Sequence, residues 1–147
     1  MIMFRTKMGA IVALILALFI VLAGCNPGGE INLINGYYIL EATGSWCVLE
    51  KTGDTNCNIP NFYITGYAVS DPYILLEGIT TAYLYIDDAE LDSSQRTYYI
   101  VDTNTNIIYG ELESKLQLQY KCDELAVEKS IEELEWKKTG RRSCVFG

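Results

Sequence analysis

The stretch TYYIVDTNTNIIYG, residues 97–110, decides the fold. Thr97–Asp102 is dense in aromatic and β-branched residues, and NIIY at 106–109 repeats that composition. Between them, Thr103-Asn104-Thr105 is a run of small polar residues that favour turns, and Gly110 ends the second segment. Two strands joined tail to head by a short turn make an antiparallel hairpin. The segment upstream has the same grammar. FYITGYAVS (62–70) leads into Asp71-Pro72 and then YILLE (73–77). Pro72 has no amide to give to a ladder, so it belongs at the corner. TTAYLYI (80–86) alternates as a further strand, and 87–95 (DDAELDSSQ) is a polar loop. Nearer the N-terminus, LINGYYILEA (33–42) reads as one strand with an irregularity at Gly36, and WCVLEK (46–51) as the next.

Beyond Gly110 the period changes. Leu112, Leu116 and Tyr120 fall on one helical face, and Leu125, Val127, Ile131 and Leu134 continue helical spacing among many Glu and Lys residues. Leu116, Leu118, Tyr120 and Cys122 also alternate, so a strand competes with a helix there, and after Cys122 the choice stays open. The expected fold class is α+β: an antiparallel β-meander sheet with a C-terminal helical segment. The strand-turn-strand pattern also occurs in propeller blades, but the chain is too short to close a propeller of normal blade number.

The other end of the chain has a different character. Arg5 and Lys7 precede an unbroken run of 16 apolar residues and glycine (MGAIVALILALFIVLA, 8–23), followed by Gly24 and Cys25. A basic start, an apolar middle and a small-residue exit are the parts of a secretory signal peptide. Leu22-Ala23-Gly24-Cys25 (LAGC) resembles the lipobox of bacterial lipoprotein precursors. That resemblance implies cleavage before Cys25, a thioether link from Cys25 to diacylglycerol, and further acylation of palmitate type. Two or more acyl chains hold a protein stably where one does not. The competing reading is an uncleaved transmembrane helix, for which the run is short of the roughly 20 residues that a span needs. The expected division is a signal peptide over 1–24, a lipidated tether over 25–29 and a single α+β domain over 30–147. Asn26, where lipoproteins retained in the inner membrane resemble each other in having Asp, implies the outer membrane facing the periplasm in a Gram-negative cell. In any other cell the same signal implies the outer face of the plasma membrane. GYAVSDPYILLE and YYIVDTNTNIIYG also look like stretches of small bacterial lipoproteins of unknown role, in which strand hairpins precede a C-terminal helix.

Composition narrows the function. The whole chain carries a formal charge of −8, and without Arg5 and Lys7 the remainder has 9 basic against 19 acidic residues, or −10. Such a surface repels phosphate backbones, so nucleic acid is not an expected partner. There is no histidine, which excludes Ser-His-Asp and Cys-His catalysis and removes the commonest transition-metal ligand. Besides Cys25 there are Cys47, Cys57, Cys122 and Cys144. An even number in an exported chain points to disulfides, and three pairings exist. Cys47 and Cys57 are symmetric about Thr52, which favours Cys47–Cys57 across a hairpin and leaves Cys122–Cys144. A zinc site has no CxxC spacing to support it.

The remaining candidates are diffuse. Asp87, Asp88, Glu90 and Asp92 place oxygen ligands at near-alternate positions, and Asp88, Glu90 and Asp92 make a weak Ca²⁺ candidate without the frame of an EF-hand; a solvated loop is the simpler account. Paired carboxylates run glycosidases without histidine, but nothing in the sequence pairs two of the 19. Adjacent tyrosines on a strand point to opposite faces, so one each of Tyr37-Tyr38 and Tyr98-Tyr99 lies outside the main core unless a helix covers it. Tyr37, Tyr38, Tyr98 and Tyr99 are therefore a candidate binding surface, set against ordinary edge packing. Lys137, Lys138, Arg141 and Arg142 are read as a solvated basic end rather than a lipid contact. The expectation is a non-enzymatic, membrane-anchored envelope lipoprotein with no cofactor, which presents a disulfide-stabilised domain to an envelope protein. A small-ligand or glycan-binding lipoprotein is the alternative, and a carboxylate-based hydrolase comes third.

Overall fold

The computed structural model describes residues 29–42, 46–54, 57–80 and 92–139. The signal segment with Cys25, the acidic residues Asp87, Asp88 and Glu90, most of the strand expected over 80–86, and Arg141, Arg142 and Cys144 lie outside the described residues. The fold is mostly β, with eight strands in two antiparallel sheets and one helix among the described residues.

The first sheet contains β1 (Glu30–Asn32), β2 (Tyr37–Ala42) and β3 (Trp46–Lys51) in that order. The single strand expected over 33–42 is instead the turn and second arm of a hairpin. Asn35 and Gly36 both have positive φ, 53° and 81°. That is the geometry of the tight primed turn that Asn-Gly favours, and Gly36 adopts it without strain. The turn is closed by the Tyr37 amide donating to the Ile34 carbonyl at 3.0 Å and the Leu33 amide donating to the Tyr37 carbonyl at 2.9 Å.

The second sheet is a meander of β4 (Phe62–Ser70), β5 (Tyr73–Thr80), β6 (Thr97–Asp102) and β7 (Ile107–Leu112), with the two-residue β8 (Lys137–Lys138) added beside β4; β5 runs on to Thr80 instead of ending at Glu77 and pairs directly with β6, where a further strand was expected between them. Its turns fall at Asp71-Pro72 and 103–106. The turns are tied together, since the Thr103 hydroxyl donates to the Pro72 carbonyl at 2.6 Å and accepts from Asn35 Nδ2 at 2.7 Å. The β7 strand runs through Gly110 rather than stopping there. A Cβ at Gly110 would sit 2.0 Å from Cδ1 of Tyr99, so only glycine lets that ring lie over β7.

The second sheet is covered on both sides. Tyr37, Ile39, Cys47 and Leu49 of the first sheet pack with Phe62, Ile64, Tyr67, Ile74, Leu76, Tyr99 and Val101 of the second. On the opposite face Ala68, Leu75, Tyr98 and Ile100 pack with Leu118, Cys122 and Leu134. Alternation along β5 and β6 thus feeds two cores at once, which is why ILL and YYIV are continuous apolar runs. In β4, a bulge between Ile64 and Gly66 shifts the parity, so Phe62, Ile64 and Tyr67 all reach the same core.

The helix α1 (Lys115–Glu124) settles residues 116–122 as helical. Ser114 caps it, accepting the Gln117 amide at 3.2 Å. Its buried residues are Leu118 and Cys122, while Leu116 and Tyr120, the pair that fits the helical face read from the sequence, are 62 % and 65 % exposed. Two apolar stripes share one short helix, and the sheet takes only one of them. The helix does not continue through Val127 and Ile131. Ala126 takes positive φ (55°), its amide donates to the Asp123 carbonyl, and the Val127 amide donates to the Cys122 carbonyl at 2.9 Å. This left-handed cap ends the helix. Residues 126–136 then form an irregular strap that packs against α1 and leads into β8.

Candidate functional site

The sites expected from sequence do not come together. Tyr37, Tyr98 and Tyr99 are buried, at 2 %, 1 % and 9 % exposure, and only Tyr38 remains half-exposed, on the outer face of the first sheet. The four tyrosines are therefore not one surface, because the helix layer covers Tyr98, while Tyr37 and Tyr99 lie in the core between the two sheets. The Tyr99 ring meets Phe62 at a tilt of 59°, with ring centres 4.6 Å apart. Burial raises its phenol above the ordinary range, and the Glu111 carboxylate adds to the shift. The Tyr37 hydroxyl donates to Asn106 Oδ1 at 2.9 Å, and Lys51 Nζ binds the same oxygen, which links the first sheet to the β6–β7 turn.

Cys47, Cys57 and Cys122 are buried free thiols. Cys47 lies opposite Glu41 of β2, because β3 pairs with β2 rather than with the segment that ends at Cys57. The hairpin expected to bring Cys47 to Cys57 is thus replaced by a different strand pairing. The Cys57 thiol instead donates to the Asp54 carbonyl at 3.8 Å. Burial pushes the Cys122 thiol up to about 11 and raises both others.

Of the acidic loop, the described member, Asp92, is a cap. It accepts from the Ser94 amide at 2.7 Å and from the Ser94 hydroxyl, while Gln95 Oε1 accepts the Asp92 amide at 2.8 Å. The Ser94 hydroxyl holds its carboxyl below the ordinary range, with the Ser94 and Gln95 amides assisting. Among the described residues no three His, Cys, Asp or Glu side chains converge as a metal site. Lys137 and Lys138 are the edge strand β8, where lysines discourage further strand addition.

Among the described residues there is a groove that the sequence did not announce. Lys115, Leu116 and Gln119 of α1 form one wall, and Ile131, Glu132 and Trp136 of the strap form the other, around about 590 Å³. That volume lies within the range of ordinary ligand clefts. The walls are pinned to each other. The Ile131 amide donates to Gln119 Oε1 at 3.1 Å, and Trp136 Nε1 donates to the Ile131 carbonyl at 3.0 Å. Lys115 and Glu132 give it a polar rim, and the exposed Leu116 and Tyr120 extend its apolar surface along α1. No family model, curated protein or solved structure matches the chain. The signal that would have found the groove is the second apolar stripe of α1. Leu116 and Tyr120 stand on the opposite side from Leu118 and Cys122, and one sheet cannot bury both.

Proposed function

We propose that this chain is an exported, lipid-anchored envelope protein whose domain is a non-enzymatic docking module, and that its docking surface is the groove between α1 and the strap. The carrying observation is the apolar surface left open there. Leu116 and Tyr120 are the most exposed large hydrophobic side chains among the described residues; Leu116 lines the groove with Ile131 and Trp136, and Tyr120 stands one turn further along α1. Exposed apolar side chains with a Trp beneath and a polar rim are how protein-binding surfaces are built. The partner's chemistry follows from charge. Residues 111–139 hold eight acidic and five basic side chains, so an apolar segment flanked by Lys or Arg fits. Presentation agrees with an anchor at Cys25. The first sheet begins five residues after it, and the groove lies on the opposite layer, beyond the second sheet.

In crosslinked envelopes, wild-type protein is expected to capture one recurrent partner, and Leu116→Glu with Tyr120→Glu is expected to lose it while the domain stays folded. Retention of the partner by the double variant would remove the groove from the reading. Cys25→Ser is expected to accumulate as uncleaved precursor, and normal cleavage and release of that variant would remove the anchor. A second reading, a glycan stacked on Trp136, draws on the indole in the groove wall. Saturable quenching of tryptophan fluorescence by soluble sugars, absent in Leu116→Glu, would favour it over a protein partner.

A further inference from the structure

Polar groups in the walls of the groove are already in use. Along α1 the backbone bonds are those of the helix, with the Leu118 amide on the Ser114 carbonyl and the Leu125 amide on the Lys121 carbonyl, both at 3.0 Å. On the strap, the Ile131 amide and carbonyl are taken by Gln119 and Trp136, and the Ser130 amide donates to Glu133 Oε2 at 3.1 Å. Among the described residues these walls offer an extended segment no strand edge to pair with. Its own amides and carbonyls would lose water there, and each buried unpaired group costs about 1–3 kcal/mol. A helix closes its backbone bonds within itself and carries no such cost. Nor does a helix sink in whole. It is about 10 Å across, so two turns already exceed the 590 Å³ available, and only its side chains enter.

Charge selects which helix. Leu116 and Tyr120 stand four residues apart on one side of α1, and Asp123 continues that stripe at the next turn. Asp123 is exposed, and its carboxylate accepts Gln119 Nε2 at 2.7 Å, which keeps it beside a residue of the groove wall. Glu132, also exposed, lines the other wall. Lys115 lines the groove at the opposite end of α1 from Asp123. Lys121 is engaged elsewhere, bound to Glu124 at 2.7 Å with its ammonium 5.8 Å from the centre of the Tyr109 ring. A second copy of this chain does not suit that pattern. Two α1 helices packed antiparallel with Leu116 over Tyr120 set Asp123 of each against Glu113 of the other. Packed parallel, they set Asp123 against Asp123 and Lys115 against Lys115.

We infer that the occupant of the groove is an amphipathic α-helix of a different protein. It lies along α1 with apolar side chains at i and i+4 over Leu116 and Tyr120, and with Lys or Arg at the end that meets Asp123 and Glu132. This rests on the docking reading above and gives its partner a shape and a polarity.

The test holds the full chain in nanodiscs of zwitterionic lipid and selects ligands from two displayed libraries. One randomises the outer face of a fixed helical scaffold, and the other is of short linear peptides. The helical library is expected to yield binders with apolar residues at i and i+4 and a basic residue beyond one end, and Leu116→Glu is expected to abolish their binding. Asp123→Asn with Glu132→Gln is expected to weaken them about tenfold at low salt, with the urea midpoint unchanged. Asn at 123 keeps an acceptor for Gln119, so the wall stays pinned. Unchanged affinity in that variant, or binders with acidic ends, would overturn the polarity. Ligands that need Leu116 but bind extended, by NMR of the bound peptide, overturn the helix and leave the groove as the docking site. A wild-type dimer that Leu116→Glu dissociates puts a second copy in the groove and overturns the inference as well. Ligands indifferent to Leu116→Glu with Tyr120→Glu, or none from either library, remove the docking reading itself.

Discussion

Gly110 and Tyr99 form a pair in which one residue's missing side chain is the other's space. Because a Cβ would fall 2.0 Å from the Tyr99 ring, Gly110→Ala is expected to cost about 1–3 kcal/mol in urea unfolding. The same substitution beside Tyr99→Leu is expected to cost less than the sum of the two single changes, since the smaller side chain frees the space. Cys122 gives a pH prediction. Its thiol titrates near 11 in the fold, above the ordinary value of 9.0. The folded state therefore holds this proton more tightly than the unfolded chain. The stabilisation is fully present below pH 9 and fades as pH rises through about 11. Iodoacetamide at pH 8 is expected to leave Cys122 untouched in native protein and to label it in denaturant. Single residues were the least legible part of the sequence. One of the adjacent pair Tyr98-Tyr99 looks like a surface residue on a two-faced sheet, and both become core only because both faces of the second sheet are covered.

At the scale of elements, the alternation of aromatic and aliphatic residues placed β3, β4 and β6 residue for residue, because each is bounded by Gly, Pro, Asn, Asp or a polar turn. The first hairpin was missed although Asn35-Gly36 stood in plain sight. Its first arm, Glu30–Asn32, is three residues long, too short for its alternation to count. A helical period after Gly110 was legible, but it did not exclude a strand over 116–122 and did not give the helix its end. Ala126 is among the strongest helix formers, and here it takes the left-handed position where glycine is favoured. Ala126→Gly is therefore expected to raise stability by roughly 1 kcal/mol, read as a later urea midpoint at unchanged slope. Ser114→Ala at the other end is expected to lower it by about 1 kcal/mol through the lost cap. Opposite signs at the two ends of one helix would confirm that its limits are set by local backbone chemistry and not by the apolar spacing, which runs on to Leu134.

For the whole molecule, the meander was readable because neighbouring strands pair with neighbours, whereas the layer order was not. Nothing in a linear pattern says that β1–β3 fold back over the second sheet, or that β8 returns to its far edge. The groove was illegible for the same reason, since its walls are 12 or more residues apart in the chain and meet through Gln119 and Ile131. The covering of the second sheet on both faces also sets how freely this protein can change over evolutionary time. In the first sheet every other residue looks outward and is open to replacement. On β6, residues 98–102 are all enclosed, so each substitution there disturbs one core or the other. A saturation library selected for folded protein should thus show an unbroken run of intolerant positions at 98–101, and a two-residue rhythm of tolerance along β2 and β3.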